Sequence, residues 1–195
     1  MEVLNSKRLI DSFLKIDQFT IRHRKYDGDM SPALDRMVIS KPNSIGVLLH
    51  HVDRDSVLLV EQFRYPAWEG ANGWLVEIVA GNMDADEDPV DTVRREVLEE
   101  TGYRIQSCRP IGQGFSSPGI STEKVYLYFA EVDDSMLVDP GGGIEEEGED
   151  IRIVEWKVTS LVEKLRSNSI SDLKTQCALQ WFVMNKGFVN SKPKT

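Results

Sequence analysis

The stretch that decides the fold is Ala80–Gly102, AGNMDADEDPVDTVRREVLEETG. Asp88 is a good N-cap residue, Pro89 suits the first helical position, and Gly102 suits the position just past a helix. The apolar residues recur at spacings of three and four, as on one buried face of a helix. They are Val90, Val93 and Val97. The pattern predicts a helix from Pro89 up to Gly102.

Three glutamates crowd the second half of this helix. Glu96, Glu99 and Glu100 are spaced three and four residues apart, so their side chains share one face. Like charges at these spacings destabilise a helix, and the helix dipole disfavours anions near its C-terminus. A hard divalent cation such as Mg²⁺ reverses this balance because it prefers carboxylate oxygens. The alternative is a solvated acidic face without a ligand.

The residues around the glutamates follow a longer spacing rule. The chain resembles the Nudix box, G-x5-E-x7-R-E-U-x-E-E-x-G-U, where U is a bulky apolar residue. All seven fixed positions match, and the only departure is Tyr103 at the last U position. The fixed positions are Gly81, Glu87, Arg95, Glu96, Glu99, Glu100 and Gly102. The chain is therefore identified as a member of the Nudix hydrolase family.

The resemblance implies a loop–helix–loop that binds Mg²⁺ or Mn²⁺, and attack by water on a diphosphate. It implies metal ligation by the side chains of Glu96, Glu99 and Glu100, together with the Ala80 carbonyl. Glu99 is also counted among the catalytic residues. Arg95, with Glu87, is expected to orient the helix and its carboxylates. The alternative for Arg95 is a simple surface ion pair.

The expected fold class is α/β, of the α+β type: a mixed β-sheet sandwiched between helices, with a β-rich N-terminal extension. Residues 1–42 are predicted to form this extension and residues 43–195 the Nudix domain with its C-terminal helices. Strand signals lie at 18–28, 35–39, 44–52, 56–64, 74–81, 104–115, 124–132 and 151–157. Helix signals follow at 160–167 and 171–187, the latter ending at a glycine. Of the adjacent His50 and His51, one is expected to be buried and the other exposed.

Further segments narrow the family. LLVEQFRYPA, WLVEIVAG, SSPGISTE and GGGIEEEGEDIRI occur in an order that resembles ADP-ribose pyrophosphatases and related nucleoside diphosphate sugar hydrolases. In that subgroup the N-terminal strands help to form a homodimer, so a homodimer is expected. The resemblance implies that Arg64 contacts the diphosphate, with Arg36 as a second substrate-binding candidate. A planar guanidinium suits phosphate oxygens, although Arg64 could instead only cap a strand end.

A general base is expected outside the box, because metal occupies the box glutamates. Alignment on EDIR places Glu147 where the subgroup carries its catalytic loop glutamate, with Glu149 as the second candidate. Three glycines before these residues would let the loop close over substrate. The alternative is a solvated acidic loop with no catalytic role.

Composition excludes several classes of protein. The net charge of -9 and the isoelectric point near 4.9 argue against binding to nucleic acid or to an anionic membrane surface. The 195 residues contain no apolar run long enough for a membrane span and no evident signal peptide. Cys108 and Cys177 form no metal-binding motif, and reduced thiols favour a cytoplasmic protein.

The expected function is a Mg²⁺-dependent pyrophosphatase that hydrolyses a nucleoside diphosphate sugar, with ADP-ribose ranked first and giving AMP and ribose 5-phosphate. UDP-glucose and GDP-mannose are the alternative substrates. A non-catalytic sensor of nucleotide sugars is the alternative of another class. A hydrolase of damaged nucleoside triphosphates is disfavoured, because minimal enzymes of that kind need neither the N-terminal hairpin nor the long last helix.

Overall fold

The computed structural model describes residues 1–189, with the side chains of Glu147 and of residues 186–189 outside the description. The described strands are β1 Glu2–Asp11, β2 Lys15–Arg22, β3 Leu34–Ser40, β4 Ser44–His51, β5 Ser56–Phe63, β6 Trp74–Glu77, β7 Val79–Asn82, β8 Arg109–Phe115, β9 Lys124–Val132 and β10 Arg152–Lys157. The described α-helices are α1 Trp68–Ala71, α2 Pro89–Thr101, α3 Leu161–Arg166 and α4 Leu173–Val189. No helix among them is long and apolar enough to cross a membrane.

The chain forms two compact units. One contains Met1–Ser44 and Gly114–Val125, and the other contains Ile45–Gln113 and Tyr126–Thr195. The first unit therefore holds a later segment that the sequence placed in the Nudix domain. The domain boundary after residue 42 remains a prediction.

The first unit contains a three-stranded antiparallel sheet in the order β1-β2-β3. The sequence indicated the hairpin of β2 and β3 but missed β1. All residues of β1 are exposed, so the strand lacks the one-sided apolar alternation that marks a half-buried strand. In the same unit, Ile39 N–H donates to the Ile120 carbonyl oxygen at 2.7 Å, and Thr122 N–H donates to the Ile39 carbonyl oxygen at 3.0 Å.

The seven-stranded sheet has the order β10-β5-β4-β9-β8, with β6 paired to β5 and β7 paired to β4. The expected hairpin of β4 and β5 is present, with Leu49 opposite Leu58. The single strand predicted over 74–81 is split at Ile78, so that β6 and β7 pair with different neighbours. Sequence periodicity cannot show such a change of partner, because both halves remain extended and apolar.

Hydrophobic clusters cover both faces of this sheet. Alternate residues of β5 divide between them: Leu58 and Val60 pack in one cluster with Val93 and Val97 of α2. The other cluster joins neighbouring β5 residues to α3 and α4, and includes Val57, Leu59, Leu161, Leu179 and Phe182. Successive strand residues point to opposite faces, which explains the division. The mixed sheet between helices confirms the expected fold class.

Three local expectations are wrong. The strand predicted over 104–115 begins only at Arg109, as β8. Helix α4 does not end at residue 187 but continues to Val189. His50 and His51 are both buried, with relative exposures of 4% and 0%. The alternation of a strand places them on opposite faces, but both faces of this sheet are covered, so neither ring reaches solvent.

Candidate active site

Helix α2 carries the glutamate cluster and begins and ends where its caps predict. The Asp88 side chain accepts the Val90 N–H at 2.8 Å, and Pro89 is the first helical residue. Gly102 follows the last turn with φ 74° and donates its N–H to the Leu98 carbonyl oxygen at 2.9 Å. A side chain at this left-handed position would be strained, which explains the glycine.

Arg95 ties together several acidic groups of the box. Its Nη1 donates to Glu96 Oε1 at 2.8 Å and to Glu99 Oε2 at 3.1 Å, and its Nε lies 3.5 Å from Glu87 Oε1. Nη2 also donates to the Asn82 carbonyl oxygen at 3.3 Å. Burial opposes the charged form of Arg95, but the nearby carboxylates raise its pKa above the usual range. The arrangement holds Glu87, Glu96 and Glu99 around one guanidinium, as an orienting role requires.

Glu96 and Glu100 are buried carboxylates with strongly shifted titration. Burial raises the pKa of Glu96 to about 7, partly offset by Arg95, while Glu99 and Glu149 raise it further. Burial raises the pKa of Glu100 to about 9, and the charges of Glu96 and Glu149 add to this rise. The Ala80 backbone amide and Arg64 lower the pKa of Glu100 but do not cancel the burial effect. Without a cation, these side chains are costly to ionise.

The donor set fits a hard divalent cation. Glu100 Oε2 is buried without a hydrogen-bond partner, so it is an acceptor that the described protein atoms leave unused. Gly81 lies so close to Glu96 that an added Cβ would be 1.8 Å from Glu96 Oε1. A side chain at position 81 would therefore fill the space beside the carboxylate. Among the described residues, no three acidic, His or Cys side chains already form a metal site, and Arg95 holds two of the glutamates.

A glycine-rich segment brings the acidic loop to the end of α2. Gly142 N–H donates to the Glu100 carbonyl oxygen, and Gly143 N–H donates to that of Glu99, both at 3.0 Å. These bonds satisfy carbonyl groups that a helix C-terminus leaves unpaired. The glycines at 141, 142 and 143 have φ values of 66°, 109° and 84°. In this structure the glycines anchor the loop on the end of α2, and closure of the loop over substrate stays a prediction.

The structure describes the two candidate general bases to different extents. Glu149 Oε2 accepts the Ile144 N–H at 3.0 Å, and its charge acts on both Glu96 and Glu100. Glu147 lies in a short 3-10 turn, Glu145–Glu147, and its side chain lies outside the described residues. The catalytic roles of both glutamates remain predictions.

The two candidate substrate-binding arginines lie in different units. Arg64 follows β5, donates its Nε to Glu77 Oε2 at 2.9 Å, and has a 43% exposed side chain. Its charge acts on Glu100, so it belongs to the neighbourhood of the glutamate cluster. Arg36 is exposed on β3 and donates Nη1 to the Asp35 carbonyl oxygen at 2.8 Å. Substrate binding by either arginine remains a prediction.

Sequence reasoning missed Glu77 and Lys174. Glu77 is 4% exposed and binds both Arg64 and Lys174. The available signal was a single charged residue inside the otherwise apolar strand WLVEIVAG. A buried acid needs a cationic partner, but nothing in the sequence places residue 174 beside residue 77.

Comparisons with known proteins show the family of the chain. The family model described as NUDIX domain matches residues 40–171. A relative from Cronobacter sakazakii (strain ATCC BAA-894), named GDP-mannose pyrophosphatase, is 34% identical, with 92% of this chain and 93% of the relative covered. A Shigella flexneri protein of the same name is 32% identical, with 94% and 95% covered.

A solved structure supports the fold alone. The crystal structure of an ADP compounds hydrolase has a TM-score of 0.71 at 17% identity, and the match covers 97% of this chain and 96% of that one. The resemblance found in the sequence and the expected enzyme class, a hydrolase acting on a diphosphate bond, are confirmed. With the box residues assembled on and around α2 and most of the chain matched by the family model, this chain belongs to the NUDIX domain family.

Proposed function

We propose that this chain is a divalent-metal-dependent pyrophosphatase of nucleoside diphosphate sugars and that GDP-mannose is its preferred substrate. The observation that carries the substrate is the name GDP-mannose pyrophosphatase on relatives that cover more than nine-tenths of this chain. ADP-ribose, ranked first from the sequence, is not confirmed, and the relatives favour the GDP-mannose alternative. A cytoplasmic location is part of the proposal and is supported by two free cysteines, Cys108 and Cys177.

The glutamates of α2 would hold the metal, which we propose to be Mg²⁺ or Mn²⁺. Glu96 and Glu100 are buried side by side, and Glu100 Oε2 offers an unused acceptor. Glu99 and the Ala80 carbonyl complete the proposed ligand set. When bound, the cation neutralises phosphate charge and makes water more acidic. Arg95, which contacts Glu96, Glu99 and Glu87, would keep the carboxylates in place.

The remaining steps use the protein's own groups. Arg64 would bind diphosphate oxygens through its terminal nitrogens and neutralise their charge equally in the bound substrate and in the transition state. A loop carboxylate, Glu149 or Glu147, would accept a proton from the attacking water. Support for Glu149 comes from its electrostatic coupling to both buried glutamates. Arg36 is proposed as a further substrate contact.

The substrate is tested by incubating the protein and Mg²⁺ with GDP-mannose, UDP-glucose, ADP-ribose and a dNTP, and by separating the products. We expect the highest kcat/KM for GDP-mannose, which would yield GMP and mannose 1-phosphate. A higher kcat/KM for ADP-ribose would restore the first ranking, and a preference for the dNTP would overturn the substrate class. Reaction in ¹⁸O water locates the attacked phosphorus by the product that gains the label.

We also propose that the protein is a homodimer that pairs through the first unit. Strand β1 is an edge strand, and its exposed apolar side chains include Val3, Leu4, Leu9 and Ile10, each more than 40% exposed. An exposed edge with apolar side chains favours pairing with another chain. We expect light scattering to give twice the 22.1 kDa chain mass for the protein, and one chain mass for Ile10→Glu. A monomeric parent protein would exclude the dimer.

A further inference from the structure

Arg64 begins a row of alternating charges that are joined by hydrogen bonds. Its Nε donates to Glu77 Oε2 at 2.9 Å, and Lys174 donates its Nζ to the other oxygen, Glu77 Oε1. Lys174 Nζ also donates to Asp172 Oδ1 at 3.0 Å. The side chain of Glu77 is 5% exposed, that of Lys174 is 22% exposed, and that of Asp172 is 15% exposed. The row is therefore shielded from solvent except at Arg64, whose side chain is 43% exposed.

The terminal nitrogens of Arg64 form the free end of this row. Arg64 uses Nε for Glu77, and Nη1 and Nη2 make no hydrogen bond to any residue within the described part of the chain. A guanidinium whose Nε is fixed presents its terminal nitrogens in a defined direction, as bidentate phosphate binding requires.

The start of α4 holds Lys174 rigidly. The Asp172 Oδ2 atom accepts the Thr175 N–H at 2.9 Å and the Thr175 hydroxyl at 2.6 Å, as an N-cap residue does. The same hydroxyl oxygen accepts the N–H of Ile78, the residue after Glu77, at 2.8 Å. These bonds fix the helix terminus against the strand that carries Glu77. Lys174 is thus placed by the backbone of two elements and not by a flexible surface contact.

We propose that Glu77 and Lys174 are positioning residues that set how strongly Arg64 binds the substrate's diphosphate. Glu77 carries one negative charge between two cations. Lys174 neutralises part of the Glu77 charge from one side. Glu77 therefore orients Arg64 without neutralising the whole positive charge of Arg64. Without Lys174, Arg64 is the remaining cation in the row that pairs with the buried Glu77 carboxylate. The Glu77–Arg64 ion pair then competes with phosphate for Arg64. The inference rests on the proposed function, because it takes Arg64 as the diphosphate contact.

The test compares Lys174→Met with the parent protein in two measurements. We expect KM for GDP-mannose to rise about tenfold, because part of one charge-assisted contact with the substrate is lost. The kcat should stay within about twofold. We expect the Kd for inorganic pyrophosphate, measured by calorimetry without turnover, to rise by a similar factor. Lys174→Arg keeps the cation and should restore both values. Lys164→Met is the matched control, because Lys164 lies on another helix, α3, and contacts the Trp156 ring of β10.

A double-mutant cycle shows whether Lys174 acts through Arg64. In an Arg64→Ala background, Lys174→Met should change neither KM nor the pyrophosphate Kd further. An equal rise in that background, or an unchanged Kd in the single variant, would refute the inference. If Lys174→Met does not fold, as judged by circular dichroism, Lys174→Gln serves for the same comparison. A parent protein that binds pyrophosphate but hydrolyses no nucleotide sugar would refute the proposed function. The calorimetric Kd values would then decide whether Lys174 acts on binding through Arg64.

Discussion

Glu96→Gln is expected to lower kcat/KM by at least about 10²-fold, since a metal contributes several kcal/mol to charge stabilisation in the transition state. The substitution keeps the shape of the side chain and one oxygen acceptor but removes the charge. Glu96 is 8% exposed and lies against Gly81. No solvent-exposed group at this position can therefore replace Glu96 as a metal ligand. The measurement is steady-state hydrolysis of GDP-mannose with saturating Mg²⁺.

The control for this loss is Glu163→Gln, which removes one carboxylate from an exposed position on α3. It should leave kcat/KM within about twofold, as expected for a surface change. A Glu96→Gln protein that hydrolyses substrate normally would contradict the assignment of this glutamate. The variant also addresses the sensor alternative, because a sensor would keep its activity in cells after the substitution, whereas a hydrolase would lose turnover.

The companion variants Glu149→Gln and Glu147→Gln separate the two candidate bases. General-base catalysis contributes about 10²–10⁴-fold, so only the residue that accepts the proton should show a kcat loss of that size. Thermal stabilisation by Mg²⁺ should survive in either variant if the metal ligands are those of α2. Equal, small effects of both substitutions would place the base elsewhere.

The stability of the chelated protein is expected to fall as pH rises from about 5 to 9, a trend opposite to that of ordinary surface carboxylates. Glu96 and Glu100 have pKa values of about 7 and about 9, raised from the ordinary 4.5, mainly by burial. The folded protein therefore binds more protons than the unfolded chain over this range. Raising the pH removes those protons and favours unfolding, because it leaves buried negative charges without a cation.

Mg²⁺ or Mn²⁺ should reverse this trend. At pH 8.5 we expect the metal to raise Tm by at least about 5 °C, because it neutralises both carboxylates in the folded state alone. At pH 5.5, where both groups are protonated, the rise should be small. Glu100→Gln should flatten the pH dependence and reduce the response to metal, and an equal ionic strength of KCl controls for screening. Equal Tm values of the chelated protein at pH 5.5 and 8.5 would contradict this account.

The sequence was most informative where local rules act. The ends of α2 followed from Asp88, Pro89 and Gly102, because capping depends on hydrogen bonds between close neighbours in the chain. The same locality made Glu96, Glu99 and Glu100 readable as one face of a helix. Strand β1 was missed, because an exposed strand carries no apolar periodicity.

By itself, the sequence determined that a helix would present clustered carboxylates in a Nudix box, since helix geometry converts fixed spacing into fixed side-chain positions. Only the tertiary structure decided which of these carboxylates are buried, that Gly81 leaves room beside Glu96, and that Glu77 joins Arg64 to Lys174. Those facts depend on contacts between residues far apart in the chain. Burial and charge balance arise when separate elements pack, and no local pattern records that packing.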